Sequence, residues 1–280
     1  MNILITGASG YIGRNLIDYL LKKKKKNNYY LLIKKNNKKL SGLRNKNFKI
    51  IKSNLSNFKF RLPKIKFDTV IHLAGSPLNT MKTSKDFFLK NELLTFNLLN
   101  NLENNVNKFI FISTQYVYGN PNSIAITEDF HLDVTFSDYS CSKINAENWL
   151  KNYQKKNGFK LIILRPCGFY DSGGFITYLC KNLKKNKKII IYQNGKIIRD
   201  YMHIKDFCEL IYFLLNKKKI EDELIMNVGS GNKKNYLTIA RYLKKKFNSK
   251  SKIILSKKET QIKKFSYKID KQINLKNSLF

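Results

Sequence analysis

Cysteine is scarce in this sequence, with four residues spread over 280 positions. No two of them form a C-x-x-C pair, and no histidine stands at metal-ligand spacing from Cys141, Cys167, Cys180 or Cys208. This pattern argues against both a disulfide framework and a zinc site. We therefore expect reduced, mostly buried thiols and no metal.

Long apolar runs are also missing. No stretch approaches the roughly 20 apolar residues that a membrane-spanning helix needs. Met1-Asn2 carries no basic region, and glycines interrupt the apolar run that ends at Thr6, so the N-terminus does not fit a secretory signal. We expect a cytoplasmic protein without a membrane partner.

Acidic residues are few: 19 Asp and Glu stand against 54 Lys and Arg, which gives a formal charge of +35. Such a charge suggests a nucleic-acid partner. Only six of the basic residues are arginine, however, and the abundant Lys, Asn, Ile, Tyr and Phe share A/T-rich codons. Codon bias explains this composition without selection for binding. We therefore expect a solvated surface, no nucleic-acid partner and a mild attraction for anionic substrates.

The first 165 residues alternate between short apolar runs and amphipathic segments. The runs have the length of buried strands, and the segments carry apolar residues at helical spacing. Such alternation predicts an α/β fold with a Rossmann-type, doubly wound parallel sheet. The predicted strands cover residues 2–6, 29–33, 48–51, 69–73, 109–112 and 161–164, and the predicted helices cover 11–26, 85–105 and 139–157.

The pattern changes after Pro166, where helices and strands no longer alternate strictly. This part predicts a small α+β C-terminal lobe for the substrate. Its predicted helices cover residues 175–183, 206–215 and 236–247, and its predicted strands cover 189–192 and 224–228. The expected division is a nucleotide-binding domain of residues 1–165 and about 200–228, and a substrate-binding lobe of about 166–199 and 229–280.

A glycine motif, Gly7-Ala8-Ser9-Gly10-Tyr11-Ile12-Gly13, follows the first predicted strand and opens the first predicted helix. In that context the motif is typical of dinucleotide binding. The first glycine permits a tight turn, the second lets the backbone approach a pyrophosphate, and the third lets the helix pack on the strand. The phosphates would meet the helix N-terminus. The predicted cofactor contacts here are Gly7, Gly10, Tyr11, Ile12 and Gly13.

The end of the second predicted strand bears on the choice of cofactor. An acid at this position binds the ribose 2′-hydroxyl of NAD, whereas a cation accommodates the 2′-phosphate of NADP. The strand ends Ile33-Lys34-Lys35-Asn36, without an acid. Lys34 therefore favours NADP over NAD.

Tyr139 and Lys143 lie four residues apart at the start of a predicted helix, so both side chains face the same way. A neighbouring cation favours the phenolate, and we expect Lys143 to lower the pKa of Tyr139. A phenol tuned in this way can exchange a proton with a carbonyl or alcohol oxygen while hydride moves. Thr114 follows the end of another strand, where ligands of doubly wound sheets bind, so its hydroxyl can converge on the same oxygen.

The chain resembles the extended short-chain dehydrogenase/reductases, and among them the NAD-dependent epimerase/dehydratase enzymes that act on nucleotide sugars. Five motifs occur in the order typical of that family, and the resemblance covers residues 1 to about 232. The motifs are Gly7–Gly13, His72–Gly75, Ser113–Gly119, Tyr139–Lys143 and Arg199–Ile204.

The resemblance implies a role for each matching residue. Tyr139 would be the acid/base, Lys143 would hold the nicotinamide ribose, and Thr114 would bind the sugar oxygen. Arg199 would contact the substrate diphosphate. Further cofactor contacts are expected at Asn54, Leu55, Leu73, Ala74, Gly75 and Pro166. The family also suggests a homodimer.

Departures from the family pattern bear on the reaction. Dehydratases carry an Asp-Glu pair after the active threonine, but Gln115 and Tyr116 stand there, so the acid that assists loss of water is missing. Gly168 replaces an asparagine that touches the substrate phosphate in many epimerases. These three positions are still expected to line the substrate.

The expected function is that of an NAD(P)-dependent oxidoreductase on a nucleotide sugar, in polysaccharide biosynthesis. The favoured reaction is reduction of an NDP-4-keto-6-deoxyhexose. A 4-epimerase that retains its NAD is the alternative, and a non-catalytic NAD(P)-sensing or nucleic-acid-binding protein is a lesser one. The nucleotide base, the sugar and the stereochemistry stay open.

Overall fold

The structure is a computed structural model that describes residues 1–34, 37–43, 45–76, 83–102, 106–121, 123, 125–259 and 266–277. The chain forms two compact units. Unit 1 contains residues 1–119, 132–165 and 205–226, and unit 2 contains residues 120–131, 166–204 and 227–280.

The elements are numbered along the chain. The strands are β1 Asn2–Thr6, β2 Asn28–Ile33, β3 Phe48–Lys52, β4 Thr69–His72, β5 Lys108–Ile112, β6 Lys160–Pro166, β7 Gly168–Phe169, β8 Ile189–Ile191, β9 Ile198–Arg199, β10 Tyr201–Met202, β11 Glu223–Val228, β12 Lys234–Asn235 and β13 Ile253–Leu255. The α-helices are α1 Tyr11–Leu20, α2 Lys38–Ser41, α3 Ser84–Phe87, α4 Leu93–Leu99, α5 Asp138–Asn157, α6 Gly174–Leu183, α7 Ile204–Asn216, α8 Tyr236–Lys246 and α9 Asp270–Asn277. A π-helical turn, Phe88–Glu92, separates α3 from α4, and 3-10 turns cover Gln115–Tyr118 and Gln193–Gly195.

A seven-stranded sheet has the order β3-β2-β1-β4-β5-β6-β11. The neighbours from β3 to β6 pair in parallel register. The strands are rich in Ile, Leu and Phe because helices cover both faces of such a sheet. The predicted doubly wound fold is therefore confirmed. The chain reverses direction across the sheet between β1 and β4, and a crevice forms at the carboxyl ends of strands at such a switch point.

An apolar core packs between the sheet and the helices α4 and α5 of unit 1. Its members alternate along β5 and β6 and recur at helical spacing on α4, as the sequence pattern predicts. Burial of each such side chain contributes roughly 1.5–3 kcal/mol, so this core fixes the strand ends that carry the site. Its fully buried members include Leu4, Val70, Leu98, Phe109, Leu150, Leu161 and Ile163.

Two predicted helices differ from those observed. The first ends at Leu20 rather than residue 26, because the following Lys22–Lys26 run places like charges three and four residues apart. The predicted helix 85–105 is interrupted by the π-helical turn and its last α segment ends at Leu99. Residues 103–105 lie outside the described residues.

Unit 2 consists of helices and short strand pairs. β8 pairs with β13 and β7 with β10 in parallel, whereas β9 and β12 are antiparallel. Residues 120–131 belong here, and not to the nucleotide-binding part where the sequence placed them. The reason is that they bond to residues of unit 2: Ile126 forms a β-bridge with Tyr267, and Glu128 accepts a hydrogen bond from the backbone N–H of Asn227.

No helix in the described part of the chain combines the length and hydropathy that a membrane crossing requires.

Candidate functional site

The glycine turn joins β1 to α1 by close backbone packing. Gly7 has a φ of +64°, and a Cβ there would lie 2.6 Å from the backbone nitrogen of Ala74. A Cβ on Gly13 would lie 2.4 Å from the Gly7 oxygen. Gly10 precedes the helix without a side-chain cap. The first N–H groups of α1 therefore face a cradle that side chains do not fill, and this fits a dinucleotide pyrophosphate.

His72 ties the end of β4 to the end of β1. Its Nδ1 lies 2.7 Å from the Thr6 hydroxyl oxygen, which also accepts the backbone N–H of Ala74 at 3.2 Å. Its Nε2 lies 3.1 Å from the Thr95 hydroxyl, which donates to the Asn91 carbonyl. Each hydroxyl has one proton, so the bonds are all satisfied when Nε2 carries the imidazole proton and Nδ1 accepts from Thr6.

The His72 network stays uncharged. Burial, together with the charge of Lys143, lowers the pKa of His72 to about 3. The neutral ring holds Leu73, Ala74 and Gly75 beside the glycine turn, where the sequence places the cofactor. A Cβ on Gly75 would lie 3.0 Å from the Asn91 amide oxygen and 3.4 Å from the Lys143 nitrogen.

The other predicted cofactor residues of unit 1 occupy different surroundings. Lys34 is exposed directly after β2, whereas Lys35 and Asn36 lie outside the described residues. The Asn54 amide oxygen accepts the backbone N–H of Ser56 at 3.1 Å. The Leu55 side chain is buried in the core. Asn54 therefore stabilises the turn that follows β3, and Leu55 anchors the end of that strand in the core.

The Thr114 hydroxyl lies close enough to Tyr139 to lower the pKa of the phenol. Tyr139 lies in the first turn of α5, which Ser137 caps by accepting the backbone N–H of Ser140. Thr114 caps the next 3-10 turn and accepts the backbone N–H of Tyr116 at 3.3 Å. The two hydroxyls thus lie where α5 and the end of β5 meet.

The expected direction of the Tyr139 pKa is wrong. Burial raises the pKa of Tyr139 to about 12, and the hydrogen bond from Thr114 opposes this only in part. Lys143 is directed elsewhere: its ammonium donates to the Ile112 carbonyl at 3.0 Å and lies 4.9 Å from the centre of the Phe111 ring. Burial lowers the pKa of Lys143 to about 8, and Glu147 acts against that shift.

Aromatic rings surround the Tyr139 phenol. The Phe87 ring lies 6.0 Å from it, and the Tyr116 ring lies edge-on at 6.5 Å. Tyr116 also stacks on Phe136 at 6.1 Å. Gln115 is buried. The two positions after Thr114 therefore carry an amide, at Gln115, and an aromatic ring, at Tyr116. Neither carries the carboxyl group that dehydratases have there.

Sequence reasoning missed Asn91, which lies buried in the π-helical turn. Its amide oxygen accepts the backbone N–H of Ser76 at 2.7 Å, and its amide nitrogen donates to the Ser142 hydroxyl at 3.1 Å. Ser142 in turn donates to the Tyr139 carbonyl. Asn91 thus links the strand end after β4 to α5. Such π turns are frequent at functional sites, but the apolar spacing predicts a continuous helix and hides it.

Pro166, Gly168 and Arg199 belong to unit 2. Pro166 ends β6. Arg199 is buried and donates to the Ile198 carbonyl at 2.7 Å. A Cβ on Gly168 would lie 2.9 Å from the Tyr201 ring, so close packing of that ring requires glycine at 168. Asp200 holds the neighbouring glycine loop by accepting the backbone N–H of Gly231.

The chain is similar to known proteins of one family. A family model described as "NAD dependent epimerase/dehydratase family" matches residues 3–229. A dTDP-D-glucose 4,6-dehydratase of Dictyostelium discoideum is 33% identical over 85% of this chain, and the match spans 60% of that relative's length. A GDP-6-deoxy-D-talose 4-dehydrogenase of Aggregatibacter actinomycetemcomitans is 29% identical over 82% of this chain and 75% of its own.

One solved structure shares both fold and some sequence. It is a UDP-glucuronic acid 4-epimerase from Bacillus cereus, in complex with UDP-glucuronic acid and NAD. It is 27% identical, with a TM-score of 0.79 over 98% of this chain and 92% of that one. Proteins with three different reactions are therefore similar to this chain.

Proposed function

Because this chain belongs to the NAD-dependent epimerase/dehydratase family, we propose that it reduces the C4 ketone of an NDP-4-keto-6-deoxyhexose. The reaction consumes one NADPH and one proton, and it yields NADP and the C4 alcohol. The bound nicotinamide supplies the hydride. Thr114, Tyr139 and Lys143 supply the hydrogen bonds and the proton.

Tyr139 is the proton donor in this proposal. With its pKa raised to about 12, the phenol is protonated at neutral pH, and only the protonated form can give a proton to the developing alkoxide. Thr114 shares its hydrogen bond with the same oxygen. In this proposal Lys143 holds the nicotinamide ribose, and solvent returns a proton to Tyr139 after each turnover.

The observation that carries the proposal is the side-chain pair after Thr114. Dehydration needs an acid to protonate the leaving hydroxyl, and neither Gln115 nor Tyr116 has the carboxyl group that dehydratases of the family carry there. The rings of Phe87 and Tyr116 instead lie beside the phenol, and Phe136 stacks on Tyr116. An apolar wall suits the methyl group of a 6-deoxy sugar better than a hydroxymethyl group, because a buried hydroxyl without a partner is costly.

A 4-epimerase with retained NAD is the second candidate. Its support is the similarity to the Bacillus cereus 4-epimerase, and it would use the same three residues to remove and return hydride. Gly168 argues against an epimerase. The Tyr201 ring occupies the space where a side chain would lie, so this position has no side-chain amide for a substrate phosphate. Arg199 remains the proposed contact for the substrate diphosphate.

NADP is the proposed cofactor. Lys34 is exposed at the end of β2, where a cation can accommodate the 2′-phosphate. Gly7, Gly10, Tyr11, Ile12 and Gly13 would hold the pyrophosphate, and Leu73, Ala74 and Gly75 the adjoining ribose. Asn54, Leu55 and Pro166 complete the proposed contacts.

A homodimer is the proposed assembly. Its support in unit 1 is an exposed aromatic surface: 44% of Phe88 and 41% of Trp149 are exposed, and Trp149 packs edge-on against Phe96. A second copy of this chain would cover such rings. The cytoplasmic location and the absence of a nucleic-acid partner stay predictions.

The test mixes purified protein with NADPH or NADH and a panel of NDP-4-keto-6-deoxyhexoses, and follows the absorbance of the reduced nicotinamide. We expect loss of one NADPH per sugar reduced and slower turnover with NADH. Lys34→Glu should reverse that cofactor order. No net loss of NADPH, together with interconversion of UDP-hexoses by a retained cofactor, would overturn the reductase proposal in favour of the epimerase.

A further inference from the structure

A buried ion pair lies in unit 1 beside the proposed catalytic residues. Glu147 on α5 is fully buried, and 1% of Arg165 at the end of β6 is exposed. Arg165 donates from Nε to Oε1 at 3.1 Å and from Nη2 to Oε2 at 2.6 Å. A guanidinium matches a carboxylate in this two-point way, so each side chain fixes the orientation of the other.

This pair holds both ends of the segment that carries Thr114. Ser113, directly before it, donates its hydroxyl proton to the Glu147 carboxylate. Tyr118 closes the 3-10 turn after it, and its hydroxyl accepts from Arg165 Nη1 at 2.9 Å. The Arg165 guanidinium also lies 5.0 Å from the centre of the Tyr118 ring. The Thr114 segment is therefore bonded to the same pair before and after the hydroxyl.

The Glu147 carboxylate also acts on Lys143, which lies one turn earlier on α5. Its negative charge raises the pKa of Lys143, against the larger lowering by burial. In the part of the chain that the structure describes, β4 contributes the neutral His72 ring near this ammonium. β5 contributes the Ile112 carbonyl and the Phe111 ring. Glu147 is thus the negative charge among these groups that supports the ammonium.

Stability alone does not call for a charged pair in this position, because apolar side chains of similar volume stabilise a protein as well or better. What the charged pair adds is a set of directed bonds to the neighbours of Thr114 and Lys143. We infer that Glu147 and Arg165 are positioning residues: they fix the Thr114 hydroxyl for hydride transfer, and through Ser113 they hold the segment whose Ile112 carbonyl binds the Lys143 ammonium. The inference rests on the proposed function.

The test uses variants of increasing severity. Ser113→Ala and Tyr118→Phe each remove one bond and leave the ion pair, and we expect kcat to fall about tenfold with little change in the sugar KM. Glu147→Met/Arg165→Met replaces the pair by apolar side chains. Because the buried Ser113 and Tyr118 hydroxyls then lose these partners, the thermal midpoint should fall moderately while the chain still folds. In this double variant we expect a lower kcat. We also expect NADPH affinity to be lost at a pH about one unit lower than in wild type, because without Glu147 the Lys143 ammonium loses its proton at lower pH. This pH is called the upper pH limit of NADPH binding.

Glu223→Gln is the matched control. Glu223, at the start of β11, pairs near the surface with Lys151 at 3.8 Å, and Lys151 lies on α5 as Glu147 does. This control should change neither quantity. A folded double variant with the kcat and the pH profile of NADPH binding of wild type would overturn the inference. If the double variant does not fold, wild-type kcat in both Ser113→Ala and Tyr118→Phe would overturn it as well.

The readouts also separate this inference from the proposed function. NADPH binding as a function of pH needs no sugar, so it tests the support of Lys143 even if no keto sugar is reduced. Glu147→Gln serves for this measurement where the double variant does not fold. An unshifted upper pH limit in the variant overturns the support of Lys143 by the pair, whereas inactivity of wild type with every keto sugar overturns the reductase alone.

Discussion

Tyr139 stays protonated at neutral pH because burial raises its pKa to about 12. Removing only the hydroxyl should therefore remove the proton donor and leave the ring among Phe87 and Tyr116. We expect Tyr139→Phe to lower kcat by roughly 10²–10⁴-fold, measured by NADPH consumption. NADPH affinity, measured by fluorescence titration, should be nearly unchanged. A variant with wild-type turnover would refute the role assigned to Tyr139.

His72 makes stability depend on pH. Its folded pKa of about 3 lies below the ordinary value of 6.5, so between these values the unfolded chain binds a proton that the folded chain does not. The free energy of unfolding should therefore fall as pH falls below 6.5, by up to about 1.4 kcal/mol per unit from this group.

Urea unfolding at pH values from 7 to 5 tests this dependence on His72. We expect His72→Asn to be less stable at neutral pH and to show a flatter decline of the unfolding free energy with falling pH. His131→Asn is the control, because His131 is exposed. Equal slopes in wild type and His72→Asn would contradict the account.

At the residue scale, sequence predicted the meeting of Thr114 and Tyr139 because both follow from strand ends and helical spacing. It gave the wrong direction for the Tyr139 pKa because burial of the phenol and the direction of the Lys143 ammonium are tertiary properties. Asn91 was missed for the same reason. Its partners, Ser76 and Ser142, stand far from it in the sequence.

At the element scale, two glycines of the turn have different roles: Gly13 allows close packing, and Gly10 leaves space for a ligand. Gly13 packs on backbone, with 2.4 Å between its would-be Cβ and the Gly7 oxygen. Gly10 meets one atom at 3.1 Å and has a φ of −73°. The fold therefore leaves no space for a side chain at Gly13, whereas the space beside Gly10 is open for a ligand.

Two alanine substitutions test this separation. Gly13→Ala should lower the free energy of unfolding by roughly 1–3 kcal/mol, as overpacking does. Gly10→Ala should unfold within about 1 kcal/mol of wild type but bind NADPH more weakly, since its methyl group stands where the pyrophosphate approaches. Chemical denaturation and fluorescence titration provide the two numbers. Wild-type NADPH affinity in Gly10→Ala would place the pyrophosphate elsewhere.

Most strands and helices could be predicted because their apolar periods are clean. The interruption of the predicted helix 85–105 could not, because a π turn keeps apolar residues near the expected face while it turns Asn91 inward. The assignment of residues 120–131 could not either. It depends on a bridge between Ile126 and Tyr267, which are 141 positions apart by their numbers.

At the scale of the whole molecule, the charge of +35 raises the local concentration of anions but selects none of them. Both NADPH and a nucleoside diphosphate sugar are anions, so the same surface suits either proposed ligand. In the proposed function, selection comes from the glycine cradle, the exposed Lys34 and the phenol of Tyr139. The family relation covers most of the chain, whereas the reaction depends on a few of these side chains.

Transfer of a labelled hydride shows whether this chain reduces the C4 ketone of its sugar. The protein is incubated with an NDP-4-keto-6-deoxyhexose and with NADPH that carries deuterium at both C4 positions of the nicotinamide, and the sugar is analysed by NMR and mass spectrometry. We expect one deuterium at C4 of the product alcohol with wild type, and little labelled product with Tyr139→Phe. A sugar that is turned over by wild type without gaining deuterium would contradict it.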